Sequence, residues 1–92
     1  GDHANKMAMK LKAAFQEAGC TFLIDSPTNQ QFPILADWIL KELGENYSYS
    51  YQERIDEEHS AVRFCTSWAT KEEDVDSLIR DFQRILGKNR CV

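Results

Sequence analysis

The sequence predicts an α+β fold: a small, mostly antiparallel sheet of about four strands with helices packed on one face, in the order α-β-β-α-β-β-α. Three observations lead to it. Apolar residues recur at helical spacing in long segments near both ends of the chain. Between those segments, short runs rich in strand formers come in two pairs. The members of each pair are separated by a polar, turn-forming stretch too short for a crossover, so the connections are hairpin-like and the sheet mainly antiparallel. With 92 residues, 42% hydrophobic and 28% charged, the chain can build one modest core and not two, so a single domain is expected over residues 1–92.

The first helix is expected from Ala4, Met7, Ala8, Leu11, Ala14, Phe15 and Ala18, with Asp2 near its start and Gly19 placed to end it in a left-handed conformation. Cys20 to Ile24 reads as a short strand, closed by the turn-forming Ser26-Pro27-Thr28-Asn29. Gln30 to Leu35 reads as the return strand. Pro33 has no ladder donor, so this strand should lie at an edge or break there.

Ala36 to Leu43 puts Ala36, Ile39, Leu40 and Leu43 on one helical face and stops at Gly44. From Tyr47 to Ile55 strict alternation places Tyr47, Tyr49, Tyr51, Glu53 and Ile55 on one face of a strand. Asp56 to Ser60 is a polar turn. Ala61 to Thr66 follows as a strand, with Val62, Phe64 and Thr66 on one face and Ala61, Arg63 and Cys65 on the other. Thr70 and Glu73 have the spacing of a capping box, and Val75, Leu78, Ile79, Phe82, Ile85 and Leu86 then mark the last helix, which Gly87 should close.

Several function classes find no support in this composition. A net charge of -4 and a pI near 5.1 leave no basic stripe for phosphates, so no nucleic-acid partner is expected. No run approaches the roughly 20 apolar residues of a spanning helix, so no membrane partner is expected either. Cys20, Cys65 and Cys91 are far apart, odd in number and without CxxC spacing, which encodes neither a disulfide framework nor a zinc site and suits reduced thiols in the cytoplasm. There is no glycine-rich phosphate loop, GxSxG elbow or HExxH motif. His3 and His59 are too isolated to nominate an acid-base pair, and the acidic clusters fall in a turn and in a helix's first turn, where carboxylates offset the dipole.

Arg63 is the residue that asks for an explanation. It stands mid-strand between apolar Val62 and Phe64, where a guanidinium needs a partner or an opening to solvent. A cross-strand pair with Glu53 would satisfy it, as would solvent; the alternative is a fork aimed at a carboxylate or phosphate ligand.

The stretch Ala61-Val-Arg-Phe-Cys-Thr-Ser-Trp68-Ala-Thr70-Lys-Glu-Glu-Asp-Val-Asp76 resembles the C-terminal strand-and-helix signature of threonine aldolases and related fold-type I enzymes dependent on pyridoxal phosphate (PLP). Upstream, His3-Ala4-Asn5 with Met7, Ala8, Leu11 and Gly19 resembles the helix that opens the small domain of those enzymes, and Thr28-Asn29 followed by Phe32 resembles its first hairpin. The resemblance implies that the chain is the C-terminal small domain of a low-specificity L-threonine aldolase-like lyase, which cleaves a β-hydroxy-α-amino acid to glycine and an aldehyde. It implies that Arg63 grips the substrate α-carboxylate, and that PLP, its lysine and the other catalytic groups belong to a large domain. On that reading the 92-residue chain binds no cofactor and is inactive alone, and its partners are the amino-acid substrate, the large domain and, when intact, further copies of itself. No catalytic residue and no metal ligand is assigned within the chain. Two other readings stand beside this one: a free-standing α+β ligand-binding or protein-interaction module, and the small domain of a PLP aminotransferase or other β-eliminating lyase. A free-standing module should hide its apolar surface, whereas a domain cut from a partner should expose it, with Trp38, Trp68 and the Tyr47/Tyr49/Tyr51 stripe as the candidates.

Overall fold

Two long helices frame the chain as their apolar spacing requires. In the computed structural model, residues 2–89 are described, and Gly1 and Cys91 lie outside the described residues. Helix α1 (Asp2–Glu17) buries Ala4, Met7, Ala8, Leu11, Ala14 and Phe15. It closes in a Schellman turn, in which the Cys20 amide donates to the Phe15 carbonyl and the Gly19 amide to the Gln16 carbonyl, both at 3.0 Å. That turn holds Gly19 at φ 84°, a conformation that costs a residue with a Cβ about 1 kcal/mol or more. Helix α2 (Asp37–Leu43) is two turns long and buries Ile39, Leu40 and Leu43. Helix α3 (Glu72–Leu86) buries Val75, Leu78, Phe82 and Leu86 and packs against both other helices.

The capping box at Thr70 does not form. Lys71 occupies the cap position of α3 and makes no side-chain cap bond. The Thr70 hydroxyl is already engaged, accepting the Ser67 amide at 2.8 Å to close a turn over residues 67–70, while the Thr70 carbonyl lies 2.6 Å from His3 Nε2. Spacing alone could not show that the hydroxyl had a closer donor upstream.

The strands are β1 (Gln30–Gln31), β2 (Ile34–Ala36), β3 (Ser50–Arg54) and β4 (His59–Cys65), all antiparallel to their partners. β4 is central, with β1 and β2 along one side and β3 along the other. The element order is the expected one, but the first pair of strands is differently composed. Gln30 to Ala36 is a single extended segment that keeps one register along β4 and is interrupted at Phe32 and Pro33. Val62 still donates to the Pro33 carbonyl at 3.1 Å, and the return bond is missing because proline has no N–H. The segment Cys20 to Ile24, expected to be a strand, is reduced to a bridge between Phe22 and Pro33, flanked by bonds from Leu23 to Phe32 and from Ile34 to Thr21.

β3 also departs from simple alternation. Tyr51 faces Val62 and Glu53 faces Ala61, so Gln52 is the additional residue of a β-bulge. The expected tyrosine stripe is divided as a result. Tyr47 and Tyr49 pack against the core, whereas Tyr51 is 58% exposed.

The turn between β3 and β4 is organised by Asp56, whose Oδ1 accepts the Glu58 and His59 amides, each at 2.8 Å, which lets β4 begin at His59 rather than Ala61. Asp37, at the start of α2, ties helix to hairpin by accepting from the Ser60 hydroxyl at 2.8 Å and pairing with Arg54 at 3.1 Å. The Ser60 hydroxyl first, with Arg54 beside it, lowers the Asp37 pKa; the Glu58 amide first, with His59, lowers that of Asp56. A carboxyl whose folded pKa is depressed stabilises the fold above its unfolded value and loses that contribution as pH falls through the folded one. NMR titration should therefore show both aspartates with inflections below the ordinary 3.8, together with loosening of the hairpin end. Inflections at the ordinary value would contradict these contacts.

The core lies between the sheet and the helices. Phe15 of α1 meets Phe82 of α3 edge-on with centroids 4.9 Å apart and Phe64 of β4 at 5.6 Å, and Tyr49 reaches Phe64 at 5.6 Å from the other side. One cysteine expectation fails: Cys20 is disulfide-bonded, whereas Cys65 is a free, exposed thiol. Sequence spacing does not reveal which cysteines a fold brings together.

Candidate functional site

Because Val62 and Phe64 point into the core, Arg63 and Cys65 must project from the opposite, helix-free face of the central strand. Arg63 is half-buried there. The residue directly across from it in β3 is Ser50, and Arg63 Nη2 donates to the Ser50 hydroxyl at 3.3 Å. The alternative pairing with Glu53 is not made, since Glu53 stands opposite Ala61. Among the described residues no carboxylate pairs with Arg63. Its Nε is buried and has no acceptor among them. A half-buried cation with a single neutral partner is an expensive arrangement unless something anionic completes it.

Arg63 lines a hollow of about 250 Å³ together with Ser48, Tyr49, Ser50 and Cys65. Every other group in this lining is uncharged or weakly acidic. The Tyr49 hydroxyl donates to the Leu40 carbonyl at 2.6 Å, and burial raises its pKa, so it stays neutral. One guanidinium among hydroxyls suits a small anion, and the planar fork suits a carboxylate.

The strand is held firmly at the Arg63 end. Just beyond Cys65, the Thr66 hydroxyl donates to the Ala4 carbonyl in α1 at 2.5 Å, and Asn29 Nδ2 donates to the Thr66 carbonyl at 2.7 Å. Residues 67–70 then turn outward, leaving Trp68 86% exposed. Trp38 and Tyr51 are also more than half exposed.

A solved threonine aldolase of Leishmania major is similar to the chain with a TM-score of 0.89 and 33% sequence identity, over 92% of this chain and 25% of that one. Nearly the whole chain thus shares its fold, and a third of its aligned residues, with one part of a threonine aldolase. It spans about a quarter of the length of that enzyme. No protein-family model and no curated protein matches the chain.

Several of the other titratable groups are accounted for locally. His59 Nδ1 sits 2.9 Å from Asp56, and His3 contacts the Thr70 carbonyl. Lys10 pairs with Asp76 and Glu72, which raise its pKa through hydrogen bonds, Asp76 most, and Lys12 pairs with Asp25. No lysine lines the hollow beside Arg63. The lining of this hollow therefore does not fit PLP, which needs an amine for its aldehyde, whereas it does fit a carboxylate.

Sequence reasoning found Arg63 and placed Cys65 on its face, but missed Ser48 and Ser50. The signal was there in the alternation of Tyr47-Ser48-Tyr49-Ser50, which sends the serines to the face the tyrosines avoid. What was lacking was the register that sets Ser50 opposite Arg63.

Proposed function

We infer that this chain is the C-terminal small domain of a PLP-dependent lyase of the threonine aldolase kind, and that Arg63 binds the α-carboxylate of its amino-acid substrate. The observation that carries this reading is a guanidinium with no carboxylate partner among the described residues, lining a polar hollow on the central strand of an aldolase-like domain. Two parallel N–H···O bonds from Arg63 would fix the plane of the amino acid, and with it the orientation of the bond to be broken.

The rest of the machinery belongs to other parts of the enzyme. A large domain supplies PLP and its lysine, and the isolated chain is inactive. The solvent-facing Trp68, Trp38 and Tyr51 support docking against that domain and the assembly of further copies, since large apolar side chains left in water are typical of surfaces that meet a partner. No described helix is long and apolar enough to cross a membrane.

The test is the reaction of the full-length protein loaded with PLP. Supplied with L-threonine, it should release glycine and acetaldehyde in equal amounts, while residues 1–92 alone release neither. Release of ammonia, or transfer of the amino group to a 2-oxo acid, would replace the aldolase with an eliminating lyase or an aminotransferase.

A further inference from the structure

We propose that Ser50 is a positioning residue that sets the guanidinium of Arg63 so that its terminal nitrogens, and not its Nε edge, face the carboxylate. The proposal rests on the carboxylate-binding reading of Arg63 and adds the group that makes it specific. A guanidinium can meet a carboxylate through Nε and one terminal nitrogen or through the two terminal nitrogens. The first edge is closed here, because Nε is buried without an acceptor among the described residues. The second edge stays available, because Nη2 carries two hydrogens and gives one to the Ser50 hydroxyl at 3.3 Å, which leaves the other for a carboxylate. No other side-chain hydrogen bond to Arg63 is present among the described residues, so this contact decides where the fork points.

The backbone explains why the serine is available. Ser50 is registered directly across from Arg63, and the bulge at Gln52 lies beyond this pair, on the side toward the hairpin turn. The pair thus keeps regular antiparallel geometry, in which opposed side chains sit within reach of each other. Tyr49, the residue just before β3, is fastened through its hydroxyl to the Leu40 carbonyl in α2, which anchors the chain where it enters the strand at Ser50. A neutral hydroxyl holds the fork without competing for its charge, which a carboxylate at the same position would do.

The experiment is a double-mutant cycle in the full-length PLP-loaded enzyme, read as KM and kcat for L-threonine and as the glycine dissociation constant by calorimetry. Ser50→Ala should raise KM and the glycine dissociation constant about tenfold, the effect of one hydrogen bond to a charged group, with kcat changed less than twofold. Ser50→Thr, which keeps the hydroxyl, should restore most of the loss. Adding Ser50→Ala to Arg63→Ala should change nothing further, because Ser50 acts through Arg63. If Arg63→Ala weakens binding while Ser50→Ala does not, or if Ser50→Ala is equally costly with and without Arg63, the positioning role is overturned and the carboxylate reading stands. If Arg63→Ala itself leaves binding unchanged, both fall.

Discussion

Arg63→Ala in the full-length PLP-loaded enzyme is expected to raise both KM for L-threonine and the glycine dissociation constant about a hundredfold, the equivalent of about 2.7 kcal/mol. The size follows from removing a bidentate, charge-assisted pair and leaving the substrate carboxylate without its partner. PLP absorbance should hardly change, because on the proposed reading a large domain binds the cofactor. Stability should hold too, since Arg63 makes one long hydrogen bond and no ion pair among the described residues. Arg63→Lys returns the charge without the fork, so it should recover only part of the loss. Full recovery by lysine would mean that a point charge suffices. Unaltered kinetics in the alanine variant would remove Arg63 from the site.

The second large effect concerns the fold. Phe15→Ala should destabilise the domain by about 3–5 kcal/mol, because Phe15 is 1% exposed and its ring is the meeting point of α1, α3 and β4 through Phe82 and Phe64. Typical domains have about 5–15 kcal/mol in all, so this variant should be close to unfolding at ambient temperature. In chemical denaturation the midpoint should fall sharply with little change in slope. Trp68→Ala, which removes a larger but 86% exposed ring, should change stability by less than about 0.5 kcal/mol. Similar losses in both would show that the aromatic cluster is not the centre of the core.

The fold was legible where periodicity is long and unambiguous. The helices around Leu11 and Phe82 each bury one continuous stripe, and no tertiary contact competes with that pattern. Pro33 was legible for a different reason, since its missing N–H breaks a ladder wherever it falls. What failed were features decided between segments. Cys20 to Ile24 has strand-forming residues but only a two-bond bridge to the segment around Pro33. Thr70 has the spacing of a cap, yet its hydroxyl serves the Ser67 amide. The bulge at Gln52 and the disulfide at Cys20 depend on register and on approach in space, neither of which a linear pattern contains.

The site divides along the same line. Arg63 could be singled out because a charge between two core residues is anomalous within its own strand. Ser50 could not, because a serine in an alternating strand is unremarkable until the facing residue is known. The exposed tryptophans belong to a third kind, since an apolar side chain in sequence gives no sign of whether it will be covered by its own fold. Trp38 lies on a helix that buries Ile39, Leu40 and Leu43, and still half of it faces water.

The most direct measurement is a crystal structure of the full-length PLP-loaded protein with glycine bound. Both glycine carboxylate oxygens should lie within about 2.7–2.9 Å of the two terminal nitrogens of Arg63, with the Ser50 hydroxyl still on Nη2. A glycine carboxylate held by other residues, with the Arg63 guanidinium turned away from it, would show that Arg63 does not bind the substrate.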